Sequence, residues 1–372
     1  MILEYQKLAV TDRSAGTVFP GGDPQAARIT PYAARVKMTT RMEDVAKEIG
    51  VSRVTLSRVL NESPNVAART RRRVLDHVQR IGYRPHQAAR ALVRRRSDLV
   101  GIFCSHPENL LVQRILIALQ SHLYERGLKT LFQTTRGAEH ELEALGALAR
   151  REVDGLVAFS HYSPPSRLAD LVRDRRPIVL SGYGPRGVAV VRANGSGGMA
   201  RIVRYLLGLG HRRIHYLGPP APMYPEARDD RRAGWLLALR EAGLEKSAMH
   251  SAALAIDAAG GFAGAQGLLL GATSRPSAIV CFNDEMAWGA LRAAREIGLE
   301  VPGQISITGF DGLDLFRYGW PALTTCRLDP EHAGQLMAQT LFRLIEGDEG
   351  ARQHHVYEGT FQAGESAGPA TA

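Results

Sequence analysis

From Asp98 onward, short apolar runs alternate with longer amphipathic stretches, and this alternation constrains the fold more than any other feature. The runs are Leu99–Cys104, Thr130–Gln133, Gly155–Phe159, Ile178–Ser181, Ile214–Leu217, Ala278–Cys281 and Ile305–Gly309. The stretches Val112–Arg126, Glu139–Arg151, Ser196–Leu209, Asp230–Ala242, Ala263–Leu270, Glu285–Glu296 and Glu331–Glu346 read as helices. Strands that are apolar along nearly their whole length are buried on both faces, which means parallel sheets flanked by helices. There are too many units for one compact sheet, so two α/β sub-domains with a cleft between them are expected. No internal repeat is visible.

Residues 38–97 are different in kind. They carry 14 Lys+Arg against 5 Asp+Glu, a net of +9 out of +10 for all 372 residues. A basic module on a near-neutral body is the electrostatic footprint of a phosphate-binding domain. Within it, Met42, Val45, Ala46 and Ile49 share one helical face, and Gly50 can end that helix with positive φ. Ser52 is a good N-cap for a second helix with apolar Leu56, Val59 and Leu60. A third helix, from about Ala68 to Ile81, packs Val74, Leu75, Val78 and Ile81. Pro85 can open a short fourth, His86–Val93, and Arg94–Ser97 reads as a linker.

Two short helices around a tight turn are a helix-turn-helix, whose second helix enters the major groove. Here that helix turns Arg53, Val54, Ser57 and Arg58 outward. Arg53 and Arg58 are each suited to pair with a guanine, and Val54 to touch a thymine methyl. Ser52, Thr55 and Arg69 are placed for phosphates, with Arg72 and Arg73 beside them, whereas Arg71 reads as solvated.

The stretch MEDVAKEIGVSRVTLSRVLNESPNVAARTRRRVLDHVQRIGYRPHQAARAL resembles the DNA-binding region of the lactose-repressor (LacI/GalR) family of bacterial transcriptional regulators, hinge included. More weakly, REVDGLV, LGHRRIHYLGPP, RRAGW, FNDEMAWGAL, VPGQISITGFDG and PALTT are similar to the family's regulatory domain. The resemblance implies an all-α helix-turn-helix headpiece followed by an α/β periplasmic-binding-protein-like domain of two parallel-sheet sub-domains. It implies a repressor that binds a near-palindromic double-stranded DNA operator as a homodimer, under control of a small-molecule effector in the cleft. A sugar, sugar acid or related metabolite would be that effector. In the family, paired hinge helices fold in the minor groove and wedge a base step, a role that falls here on Leu92 with Ala89 and Arg90 beside it. The positions aligned with effector contacts are Arg231, Asn283 and Asp311, joined by Ser105 after the first strand, while Asp284 reads as a helix N-cap.

Three departures bear on the effector. Ala193 stands where members of the family usually carry Asp, Ile256 where an aromatic is common, and Leu110, Leu111 and Val112 where the first cleft loop often has aromatics. A less hydroxyl-rich effector, an anionic one held through Arg231, and no effector at all are each compatible with these residues.

The expected domains are an extension at 1–37, read as disordered with Met38 as the true start, a reader at 38–84, and a hinge and linker at 85–97. A regulatory domain at 98–366 and a tail at 367–372 follow. By analogy its sub-domains are 98–193 plus 329–354, and 194–328 plus 355–366. Other classes fit less well. No G-x-S-x-G elbow, P-loop, H-E-x-x-H or dinucleotide fingerprint suggests an enzyme, and no cofactor or metal is expected. A transporter's solute-binding protein would match the second part alone, but the basic module and the lack of a secretory signal argue against it. No apolar run reaches the length of a membrane span. The odd, scattered cysteines Cys104, Cys281 and Cys326 point to a reducing cytoplasm, with the protein on the bacterial nucleoid.

Overall fold

The structure is a computed structural model, and it describes residues 42–60, 63–83, 96–135, 140–151, 153–159, 176–219, 230–244, 249–252, 255–271 and 275–371. The expectations for residues 1–37 and for the hinge helix with Ala89, Arg90 and Leu92 lie outside these residues. The chain divides into two compact units, 1–86 and 87–372.

In the first unit, α1 (Met42–Ile49), α2 (Arg53–Leu60) and α3 (Ala68–Ile81) enclose a small core of Val45, Ala46, Ile49, Leu56, Val59 and Val74. Gly50 ends α1 at φ 72°. Its N–H donates to Lys47 O and that of Val51 to Ala46 O, so two orphan carbonyls are satisfied within the turn. Ser52 Oγ then accepts from Thr55 N at 3.0 Å and starts α2. The turn is therefore built by the residues that predict it. Two expectations need correction. Leu75 and Ile81 are 45% and 36% exposed rather than packed, and Leu75 lines a surface hollow with Val78, Gln79, Gly82 and Tyr83. Arg71 is not merely solvated, because its Nη2 donates to Ser63 O and pins the loop before α3.

In the second unit, β1 (Leu99–Cys104), β2 (Lys129–Thr134), β3 (Gly155–Phe159), β4 (Ile178–Ser181), β5 (Ala189–Ala193) and β11 (His354–Tyr357) form one sheet in the order β11-β5-β4-β3-β1-β2. All its pairings are parallel. β6 (Ile214–Gly218), β7 (Met249–Ala252), β8 (Ala278–Cys281) and β9 (Ser306–Thr308) form a second parallel sheet in the order β7-β6-β8-β9. A two-stranded antiparallel ribbon pairs β10 (Thr325–Arg327) with β12 (Thr360–Gln362).

Helices α4 (Leu110–Glu125), α5 (Glu141–Ala149) and α11 (Pro330–Ile345) accompany the first sheet. Helices α6 (Gly195–Gly208), α7 (Asp230–Glu241), α8 (Ala258–Gly271) and α9 (Asp284–Glu296) accompany the second. A single turn, α10 (Asp314–Arg317), follows β9. The chain crosses between the sheets three times, after β5, after β10 and after β11. β11 runs past the expected sub-domain division at 354.

Between α8 and α9 the helices touch through glycine, since a Cβ at Gly261 would meet Met286 O at 2.1 Å and one at Gly289 would meet Ala258 O at 1.9 Å. The expected tail is docked. Ala367 is buried, Gly368 N donates to Ser306 Oγ at 3.0 Å, and Ala370 N donates to Leu209 O at 2.9 Å. Buried His211 joins it, with Nε2 3.0 Å from Gly368 O and Nδ1 3.0 Å from Ser277 Oγ. All three cysteines are buried thiols.

Candidate nucleic-acid interface and effector cleft

On the headpiece, Arg53, Val54 and Arg58 stand exposed on α2 while Leu56 and Val59 are buried beneath them. Val54 is 57% exposed, which for an apolar side chain at the start of a helix leaves a methyl-sized contact surface facing outward. Ser57 is half-buried, and Arg69, Arg72 and Arg73 are exposed along α3. Ser52 and Thr55 differ from the rest in being committed locally, their hydroxyl oxygens 2.8 Å apart around the cap. Residue reasoning missed Glu43, which reads in sequence as an ordinary first-turn acid. Its Oε1 lies 3.0 Å from Arg53 Nη1.

In the second unit, polar residues gather where β8 and β9 end and α7 begins. Arg231, in the first turn of α7, is only 15% exposed. Its Nη2 donates to Asp311 Oδ1 at 2.8 Å and its Nη1 to Phe282 O. The guanidinium lies over two rings, 4.4 Å from the Phe282 centroid and 4.2 Å from that of Phe310, so its charge meets π-electron density from both. Asp311 has φ 120°, a conformation rare for a residue with a Cβ. The crossover strand holds it there, with Asp311 N donating to Cys326 O and Leu328 N to Asp311 O. Burial pushes the Asp311 carboxyl up to about 6, against the pull of Arg231's charge and with Glu285 adding to the rise.

Asn283 takes the N-cap part expected of Asp284. Asn283 is the N-cap of α9, accepting from Met286 N at 2.8 Å, and its amide donates to Ile256 O at 3.0 Å. Asp284 is fully buried. It accepts from Thr325 Oγ1 at 2.6 Å and from Leu313 N at 2.8 Å, tying α9 to the crossover ribbon. Burial, then the charge of Asp311, raises its carboxyl to about 7. Either residue type caps a helix well. The choice is made by the tertiary partners, which a single sequence does not display. Ser105 is buried and donates to Phe159 O at 3.0 Å, which joins the ends of β1 and β3.

Among the described residues, two ion pairs connect the sub-domains. Arg192, in β5, meets Asp230 at the start of α7 at 2.6 Å. Arg114, on α4, meets Asp314 at 3.0 Å, and Arg327 of β10 holds the other carboxylate oxygen at 3.1 Å. The Arg114 hydrogen bond, with Arg327 behind it, draws the Asp314 carboxyl below its usual range. Among the described residues no group of His, Cys, Asp and Glu is arranged to hold a metal ion. No helix among them is long and apolar enough to cross a membrane.

Comparison with known proteins matches both parts. Residues 41–86 match the profile described as bacterial regulatory proteins, lacI family, and residues 203–367 match the periplasmic binding protein-like domain. The chain is 33% identical over 295 residues to the HTH-type transcriptional regulator GalS of Salmonella typhimurium, covering 77% of this chain and 84% of that protein. It is 31% identical over 324 residues to the HTH-type transcriptional repressor PurR of Proteus mirabilis, covering 85% and 94%. Among solved structures, the lac repressor dimer bound to operator and the anti-inducer ONPF superposes with a TM-score of 0.78 at 25% identity, over 88% of this chain and 98% of that one. The transcriptional regulator CelR–cellobiose complex gives 0.65 at 28% identity, over 88% and 99%.

Proposed function

The chain belongs to the lacI family of bacterial regulatory proteins, and from that premise we propose that it is a repressor that binds a near-palindromic operator as a homodimer and answers to a small molecule bound between its sub-domains. The observation that carries the reading is the exposed face of α2, where Arg53, Val54 and Arg58 project from a helix that a glycine turn and a serine cap fix against α1. Residues 38–97 carry a net +9, which supplies the phosphate attraction that brings such a face to a duplex. Base reading then falls to Arg53, Val54, Ser57 and Arg58, phosphate contact to Ser52, Thr55 and Arg69, and the minor-groove wedge to Leu92 with Ala89 and Arg90.

For the effector, Arg231 and Asp311 are the proposed contacts, with Asn283 beside them and Ser105 on the other sub-domain, at the end of β1. The strained φ of Asp311 and the guanidinium packed against two rings support this, because strain and desolvated charge concentrate where a site must be preorganised. A ligand held there would act by its different affinity for two sub-domain angles, and Arg114–Asp314 and Arg192–Asp230 are contacts that such a change would remake. A homodimer is supported by Leu315, Tyr318 and Trp320, which are 65%, 83% and 86% exposed around α10 and the loop after it. Apolar side chains clustered in this way on one loop favour association. The relatives are transcriptional regulators, which favours a regulator over an enzyme.

The experiment is a titration of the purified protein with a DNA duplex at several salt concentrations. A regulator of this kind loses affinity steeply as salt rises, with a log–log slope of about −5 or steeper. An absent or salt-independent interaction would refute the reading. A thermal-shift screen of sugars, sugar acids, phosphorylated sugars and nucleobases then seeks the effector, since a cleft ligand stabilises by mass action.

A further inference from the structure

Arg53 opens the recognition helix, and a guanidinium there has several competing partners: phosphate oxygens, water and the base edge. Its long side chain is 67% exposed, so packing alone does not choose among them. A carboxylate does. Glu43 projects from the first turn of α1 and places Oε1 3.0 Å from Arg53 Nη1. A guanidinium offers five N–H donors in a planar fork. With Nη1 engaged by Glu43, the Nε and Nη2 edge is the one presented, and it suits the paired O6 and N7 acceptors of guanine.

A negative charge also stands out at this place. The module is strongly basic, and a carboxylate beside the reading helix works against phosphate attraction. A residue of that sign weakens binding to any duplex, and the compensation it can give is selectivity.

We propose that Glu43 is a positioning residue for base reading: it holds the Arg53 guanidinium in the orientation that reads one base pair and disfavours its capture by the backbone. The proposal rests on the reading of α2 as the recognition helix.

The test uses the full-length protein and its selected operator. The base pair read through Arg53 is the one at which Arg53→Ala relaxes preference. For Glu43→Gln and Glu43→Ala, affinity is then measured for the operator and for the same operator with that base pair changed. The expected result is that either substitution tightens binding to non-specific DNA while the discrimination ratio at that one base pair falls roughly three- to tenfold. In an Arg53→Ala background the same substitutions leave the ratio unmoved. Glu43 is 53% exposed, so both variants should fold, and their melting temperatures check this. A ratio within twofold of the parent overturns the proposal. So does an equal change at every base pair, which would make Glu43 a general repeller of phosphate, or an equal change without Arg53. A parent protein with no base preference anywhere would remove the reading on which the proposal stands, an outcome distinct from a selective parent with an indifferent Glu43.

Discussion

Arg231 donates to Asp311 across 2.8 Å in an ion pair whose side chains are 15% and 4% exposed. Pairing two desolvated charges is close to neutral in energy, but removing one partner leaves the other buried alone. Arg231→Met is therefore expected to cost about 2–4 kcal/mol at pH 8, and Arg231→Met with Asp311→Asn to recover most of it. At pH 5 the single variant should lose less, because the Asp311 carboxyl, raised to about 6 even beside Arg231, is then mostly protonated with or without the guanidinium. Chemical denaturation at the two pH values checks this. A double variant as unstable as the single one would mean that ring stacking, not charge balance, is what Arg231 provides.

The carboxyl of Asp284 is raised to about 7 in the fold, above its value in the unfolded chain. The folded state therefore binds the proton more tightly, and stability falls as pH rises from about 4 to about 7. Below the unfolded pKa both states hold the proton and the effect is absent, whereas above about 7 the penalty is complete. Asp284→Asn removes this titration while keeping an acceptor for Thr325 or Leu313. Relative to the variant, the parent should lose on the order of 2–4 kcal/mol across that window. Parallel stability–pH curves would show that the Asp284 carboxyl titrates in the fold as it does in the unfolded chain.

Arg114, Asp314 and Arg327 form an ion triad that is 46%, 39% and 37% exposed, reaching from α4 to α10 and the crossover strand. Exposed pairs are weak and screened by salt. Arg114→Ala should change stability by less than about 1 kcal/mol, and by nothing measurable at high salt. A loss above about 2 kcal/mol would instead make this triad a main tie between the sub-domains.

Arg53→Ala should lose preference at particular base pairs, at about 1–3 kcal/mol, rather than weaken all sequences alike. Uniform weakening would make Arg53 a phosphate contact. For Leu92, which lies in the hinge segment, Leu92→Ala should weaken specific binding more than non-specific binding and reduce DNA bending. Unchanged bending would remove it from the wedge role.

Much of this architecture is legible in residue order. β1, β3, β4 and β8 are buried on both faces, so their unbroken apolar runs announce them. The α1–α2 turn is written in Gly50 and Ser52, because its hydrogen bonds are local. β5, β7, β10, β11 and β12 are not among the expected strands. His354–Tyr357 has only Tyr357 buried and owes its strand state to the β5 edge it joins, while Thr360–Gln362 is paired by β10. Arg231 and Asp311 come together through partners that residue order does not display. Arg231 and Asp311 meet across 80 positions, and Asp284 reaches Thr325 across 41, distances at which one sequence carries no local signal.

The central claim is that this chain reads a DNA sequence. Purified full-length protein should be put through iterative selection from random-sequence duplexes, with the enriched pool sequenced. The expected product is a near-palindrome whose half-sites are related by a two-fold axis, since a symmetric dimer imposes its symmetry on the site it binds. A folded protein that enriches no motif, or only a single unpaired half-site, would contradict it.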